Sequence, residues 1–130
     1  MKVYLSVPMI ANRALGRAQL MAKAIRDAGH EVSSPWVLGP LETAAPSATN
    51  VFERDRGGVE ESQAIVADVS EPSIGVGMEI MAAYKARRRI IIITKKGKLA
   101  SRMLQQMDGK ETLEYQDESE IYDGLRRLLK

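Results

Sequence analysis

Ile90-Ile91-Ile92-Ile93-Thr94 constrains this chain more than any other segment. Every side chain in it branches at Cβ, which disfavours helix and suits a pleated strand. No polar residue alternates with the apolar ones, so both faces of the strand must be covered. That is the signature of an interior strand in a parallel sheet with helices on both sides.

The rest of the sequence supplies such partners. Residues 2–7 (KVYLSV) read as a first buried strand. Ala11, Ala14, Ala18, Met21, Ile25 and Ala28 then recur at helical spacing, and Gly29 is placed to end that helix. Residues 30–32 suggest a short second strand, with His30, the only histidine, at a solvent-side turn. Residues 33–50, with Pro35, Pro40 and Pro46, predict a long irregular loop. In so small a domain such a loop more often faces substrate than merely connects. Trp36 within it either stacks on a ligand or fills the core.

Helix resumes at Thr49 or Asn50, either of which suits a cap, and continues to about Ser62 despite Gly57-Gly58. Residues 64–69 form a third strand, 73–87 the next helix, 90–94 the fourth strand and 98–107 a short helix. Residues 112–115 suit an edge strand. Ile121, Leu125, Leu128 and Leu129 mark a last helix, with Ser119 as its expected cap. Alternating strands and helices predict a single domain over residues 1–130. Its expected architecture is a flavodoxin/Rossmann-like three-layer α/β sandwich with a five-stranded parallel sheet in order 2-1-3-4-5. Ligands in such folds sit beyond the carboxyl ends of the strands. This gathers residues 4–9, the 33–50 loop and the 70–79 turn around one crevice.

Composition narrows the class. With 45% hydrophobic and 28% charged residues the chain has the balance of a soluble globular protein, and its net charge of +2 gives little reason to expect a nucleic-acid surface. The absence of cysteine fits a reducing cytoplasm. No secretion signal opens the sequence, and no apolar run approaches the roughly 18 residues of a membrane span. No His/Cys cluster or spaced acidic set is present, so no metal site or other cofactor is expected.

The chemistry concentrates at Asp68-Val69-Ser70-Glu71-Pro72-Ser73-Ile74-Gly75-Val76-Gly77-Met78-Glu79. Strand gives way to turn and then helix, which offers free amide hydrogens and a positive dipole end to an anion. Ser73 suits an N-cap, or it holds a phosphate together with the amides around Gly75 and Gly77. A dinucleotide fingerprint is only partly matched, because its third glycine is missing and the turn follows the third strand. Glu79 borders the face of Val76, Ile80 and Ala83, so it is either a dipole-favoured helix glutamate or a reactive carboxylate turned inward.

Asp55 lies with Phe52 and Val59 at helical spacing, between exposed-looking Arg54 and Arg56. It reads as a surface ion pair or as a second inward acid. If both acids converge, the pair suits cleavage at a sugar's anomeric carbon. One carboxylate then attacks while the other assists the leaving group. Tyr4 either packs in the first strand or reaches the crevice with its hydroxyl.

The segment V-S-E-P-S-I-G-V-G-M-E-I at residues 69–80 resembles the signature of the nucleoside 2-deoxyribosyltransferase superfamily, in its 2′-deoxynucleoside 5′-phosphate N-hydrolase branch. The Tyr-containing first strand (Val3-Tyr4-Leu5-Ser6), the Glu53-Arg54-Asp55 element and the Asp55-to-Glu79 spacing extend the resemblance over most of the chain.

The resemblance implies that Glu79 is the nucleophile, forming a covalent deoxyribosyl intermediate, with Asp55 as acid/base and Tyr4 orienting the nucleophile. It implies that Ser73, Gly75 and Gly77 hold a 5′-phosphate and that Ser101 reaches it from the neighbouring subunit of a homodimer. Transferases acting on unphosphorylated nucleosides typically place an aspartate where Ser73 stands, so the serine favours a phosphorylated substrate. Where the hydrolases often carry Gly-Ser-Ile-Arg-Gly-Gly after the first strand, this chain has Val7-Pro8-Met9-Ile10-Ala11-Asn12-Arg13. Arg13 is the candidate replacement cation. The expected reaction is hydrolysis of a (deoxy)nucleoside 5′-monophosphate to free base and (deoxy)ribose 5-phosphate. Base exchange between deoxynucleosides and non-catalytic nucleotide binding are the alternatives.

Overall fold

The computed structural model of the chain describes residues 1–10, 13–44, 48–98 and 101–130, without the side chains of residues 42 and 43. Ala11 and the segment 99–100 thus lie outside the described residues. Five parallel strands form one sheet: β1 (Lys2–Ser6), β2 (Glu31–Val32), β3 (Ala64–Asp68), β4 (Arg89–Lys95) and β5 (Lys110–Tyr115), in the expected order β2-β1-β3-β4-β5. The isoleucine run occupies β4, buried throughout Ile90–Thr94 and flanked by β3 and β5. β5 begins two residues earlier than its apolar residues suggest.

The two sheet faces carry separate cores. Val3, Leu5, Val66, Ile91 and Ile93 pack under α1 (Leu15–Asp27) and α6 (Ser119–Leu128). Tyr4, Ile65, Ala67, Ile90 and Ile92 pack with Val59 of α3 (Val51–Glu61) and Val76, Ile80 and Ala83 of α4 (Ile74–Lys85). Each strand's two-residue alternation thus feeds both layers.

Helix ends follow local chemistry. Gly29 ends α1 with φ +89°, a backbone region that favours glycine. Asn50, not Thr49, caps α3 by accepting from the Glu53 amide at 3.1 Å. Ser119 is the first residue of α6 rather than its cap, and Glu118 holds the cap position. Asp117 accepts from the Ser119 amide, and Glu120 reaches back to the Asp117 amide at 3.1 Å. Carboxylates one or two positions away thereby take over the hydroxyl's task.

The 33–50 region is more regular than its prolines suggest. It contains a 3₁₀ turn (Pro35–Leu38) and a short helix, α2 (Leu41–Ala44). Residues 45–47 lie outside the description. A last short helix, α5 (Arg102–Gln106), precedes β5. No helix among the described residues is long and apolar enough to cross a membrane.

Candidate active site

The site is built at the carboxyl end of β1. Because β2 has only two residues, it cannot pair with Leu5. The Ser34 hydroxyl takes over that edge, accepting from the Leu5 amide at 2.9 Å and donating to the Leu5 carbonyl at 2.8 Å. This pins the start of the loop and carries Trp36 over the strand. The indole meets the Tyr4 ring edge-on, with centroids 6.1 Å apart and planes at 66°.

Gly58 of α3 completes the packing. A Cβ at this position would lie 2.9 Å from Cε2 of Tyr4 and 3.6 Å from the Trp36 ring. Only glycine lets α3 approach so closely, which accounts for one of the two glycines inside that helix.

Tyr4 and Ser6 lie on the same face of β1, both almost fully buried, and both donate to Glu79 of α4. The Tyr4 hydroxyl binds Oε2 and the Ser6 hydroxyl binds Oε1 at 2.8 Å. Glu79 therefore turns inward and its carboxylate is held at both oxygens. Ser6 was not singled out from the sequence, although its place two residues after Tyr4 puts it on the same strand face.

Asp55 approaches from α3. Its charge acts on Glu79, raising that carboxyl slightly. Asp55 is ion-paired with Arg54, Nε to Oδ1 at 2.8 Å, as the ion-pair reading of this residue expects, with both side chains half-buried. Arg54 is not exposed as expected. It folds back over the Trp36 ring, 4.4 Å from the centroid. Phe52 also departs from expectation: it is 55% exposed, with the Arg56 guanidinium 5.9 Å over its ring, rather than joining an inward stripe.

The electrostatics follow from burial. Loss of water pushes the Glu79 carboxyl up to about 7. Hydrogen bonds from Tyr4 and Ser6 oppose the rise, Asp55 adds to it and Arg54 counters it. Burial and then the Glu79 charge drive the Tyr4 phenol far above its ordinary range, so it remains a donor.

The turn before α4 is anchored on the opposite sheet face. Asp68, at the end of β3, binds Arg17 at 2.8 Å and accepts from the Ser70 amide at 3.0 Å. Arg17 also pairs with Glu71. Ser73 caps α4 by accepting from the Val76 amide at 3.3 Å. The exposed Gly75 and Gly77 leave open space where a Cβ would stand, so a ligand can reach the backbone of the first turn.

Ser101 lies elsewhere, as the exposed N-cap of α5, accepting from the Leu104 amide at 3.2 Å. Arg13 is turned toward the Gly39 carbonyl and the Met9 sulfur. His30 is tied down at both ring nitrogens, to the N-terminus and to the Leu129 carbonyl.

Two archaeal relatives resemble this chain in sequence. A provisionally named 2′-deoxynucleoside 5′-phosphate N-hydrolase 1 from Methanococcoides burtonii is 37% identical over 90 residues, 65% of this chain and 73% of the relative. A protein of the same provisional name from Thermofilum pendens is 35% identical over 104 residues, 78% of this chain and 73% of the relative. The chain belongs to the 2′-deoxynucleoside 5′-phosphate N-hydrolase family.

This N-hydrolase family member also shares its fold with solved structures. Clostridium botulinum CMP N-glycosidase superposes with a TM-score of 0.77 over 98% of this chain and 99% of its own, at 17% identity. A 2-deoxyribosyltransferase from Bacillus psychrosaccharolyticus gives a TM-score of 0.63, covering 95% and 91% of the two chains at 18% identity. No protein-family model matches the chain.

Proposed function

We propose that this N-hydrolase family member cleaves the N-glycosidic bond of (deoxy)nucleoside 5′-monophosphates, releasing free base and (deoxy)ribose 5-phosphate. The observation that carries the reading is the half-buried Glu79 carboxylate, held at both oxygens by Tyr4 and Ser6 and within the electrostatic influence of a second acid, Asp55.

Glu79 in its ionised form attacks the anomeric carbon, forming a glycosyl ester as the bond to the base breaks. Asp55 donates a proton to the departing base. It then takes a proton from the water that attacks the ester, which regenerates the Glu79 carboxylate and frees the sugar phosphate. Burial keeps the nucleophile poorly solvated and therefore reactive. The two donors fix which lone pair faces the sugar.

The N-terminal end of α4, with the Ser73 hydroxyl and the open backbone at Gly75, suits the 5′-phosphate, with the helix dipole favouring its charge and Gly77 giving it room; the Val76 and Gly77 amides are themselves bonded to Ser73. The outer face of α4 supports a homodimer. Ile74 is 86% exposed, Met78 and Met81 lie on the same side, and Met103 of α5 is 77% exposed. A second copy covering this apolar band would bring Ser101 toward its neighbour's phosphate site. The chain is assigned to the cytoplasm, in keeping with its lack of cysteine and its nucleotide substrate.

Chromatography of free base after incubation with a panel of nucleoside 5′-monophosphates tests the proposal. Release should be confined to phosphorylated substrates and lost in Glu79→Ala. Base swapping between unphosphorylated nucleosides would assign the chain to transfer instead. Thermal stabilisation by nucleotide without base release would make it a binding domain.

A further inference from the structure

Neighbouring positions on a helix point about 100° apart, so consecutive side chains do not ordinarily meet. Arg54 and Asp55 meet nonetheless, Nε to Oδ1 at 2.8 Å. Trp36 explains why. Its ring, packed edge-on against Tyr4, gives the Arg54 guanidinium a flat surface 4.4 Å away. A planar cation stacked on indole has lost its freedom to wander. Its fork then meets the carboxylate in one orientation.

Arg54 therefore joins two arms of the site. One runs through Asp55, and the other through Trp36 and Tyr4 to Glu79. The titratable and charged groups facing Glu79 are Tyr4 from β1 and Arg54 and Asp55 from α3; α4 itself carries no acid in its first turn. Two neighbouring carboxylates repel, and an adjacent guanidinium offsets that repulsion. The cost of burying a charge is bearable where it is paired.

We propose that Arg54 is a positioning residue, clamped between Trp36 and Asp55, that fixes the direction of the Asp55 carboxylate and places a positive charge beside Glu79. The inference rests on the glycosidase reading for its kinetic consequence. The electrostatic consequence is independent of any reaction.

The test compares Arg54→Gln and Arg54→Lys with the native chain, using two readouts. The first is the titration midpoint of Glu79, followed by NMR of its side-chain carboxyl carbon. The second is base release from whichever monophosphate the native chain cleaves fastest. Arg54→Gln should move the Glu79 midpoint to higher pH and lower kcat about tenfold or more, with KM changed less than about twofold. Arg54→Lys should return the midpoint toward its native value, because the charge is restored. It should recover kcat only in part, because the stacked fork is not.

A Glu79 midpoint unmoved in Arg54→Gln, a lysine variant that fails to restore it, or native kcat in Arg54→Gln would each overturn the inference. Absence of base release from the native chain would sink the glycosidase reading instead, and the NMR arm would still decide the role of Arg54. A thermal melt of each variant separates repositioning from unfolding.

Discussion

The Tyr4 hydroxyl donates to Oε2 of Glu79 across 75 positions of sequence, joining a buried phenol to a half-buried carboxylate. The phenol binds the charged form of the carboxylate and cannot itself ionise near neutral pH. Its loss should therefore be felt by the nucleophile more than by the fold. Tyr4→Phe keeps the ring that packs on Gly58 and Trp36. It should lower kcat about ten- to hundredfold and move the Glu79 titration to higher pH, measured by a pH series of initial rates.

The free enzyme's kcat/KM should rise with pH and reach half its plateau near the value of about 7 to which burial pushes Glu79. The attacking form is the ionised one, so activity is lost as the pH falls. A profile already flat between pH 5 and 8 would remove Glu79 from the nucleophile's role.

Stability should run the other way. The folded chain holds the Glu79 proton up to about 7, against an ordinary value of 4.5. Between those values the folded state binds more protons than the unfolded one, so stability falls as the pH rises through that window and levels off above it. Glu79→Gln should thus be inactive yet more stable than the native chain at pH 8, by up to about 3 kcal/mol, with no gain below pH 4.5. Urea unfolding at the two pH values checks both the sign and the window.

The adjacent glycines of α3 should respond oppositely to alanine. At Gly57 a Cβ meets nothing within 4 Å, so Gly57→Ala should stabilise by about 0.5–1 kcal/mol, the usual gain inside a helix. At Gly58 the added carbon would sit 2.9 Å from the Tyr4 ring. Gly58→Ala should cost about 1–3 kcal/mol and reduce turnover by displacing the phenol. Thermal melts and rates on both variants decide it.

The apolar outer band of α4 yields a prediction about assembly. Met81→Glu places a charge in the surface proposed for the second copy. Sedimentation should show a dimer for the native chain and a monomer for the variant. Ser101→Ala should raise KM for a monophosphate without breaking the dimer.

The sheet was legible because its strands are apolar runs punctuated by glycine and proline, and strand order follows from the alternation with helices. The spacing of Val76, Ile80 and Ala83 put Glu79 at the border of the buried face, and the hydrogen bonds from Tyr4 and Ser6 decide that it turns inward. Ser6 was within reach of the same logic, two residues beyond Tyr4. Arg54 was not, because its course depends on Trp36, which reaches it from a loop whose path is set by the Ser34 hydroxyl replacing a missing strand partner. Helix periodicity likewise assigned Phe52 inward, but in the first turn of α3 its ring is exposed beside Arg56. Contacts made by long side chains across loops carry no period to read.

Both donors to Glu79 stand on β1, paired along one edge with β3 and held on the other by β2 at Lys2 and Val3 and by the Ser34 hydroxyl at Leu5. The heading of the Glu79 carboxylate is thus set from a strand of the central sheet. Surface segments can breathe, open for substrate and close again while the carboxylate keeps its heading. Heat inactivation should therefore coincide with melting of the sheet instead of preceding it.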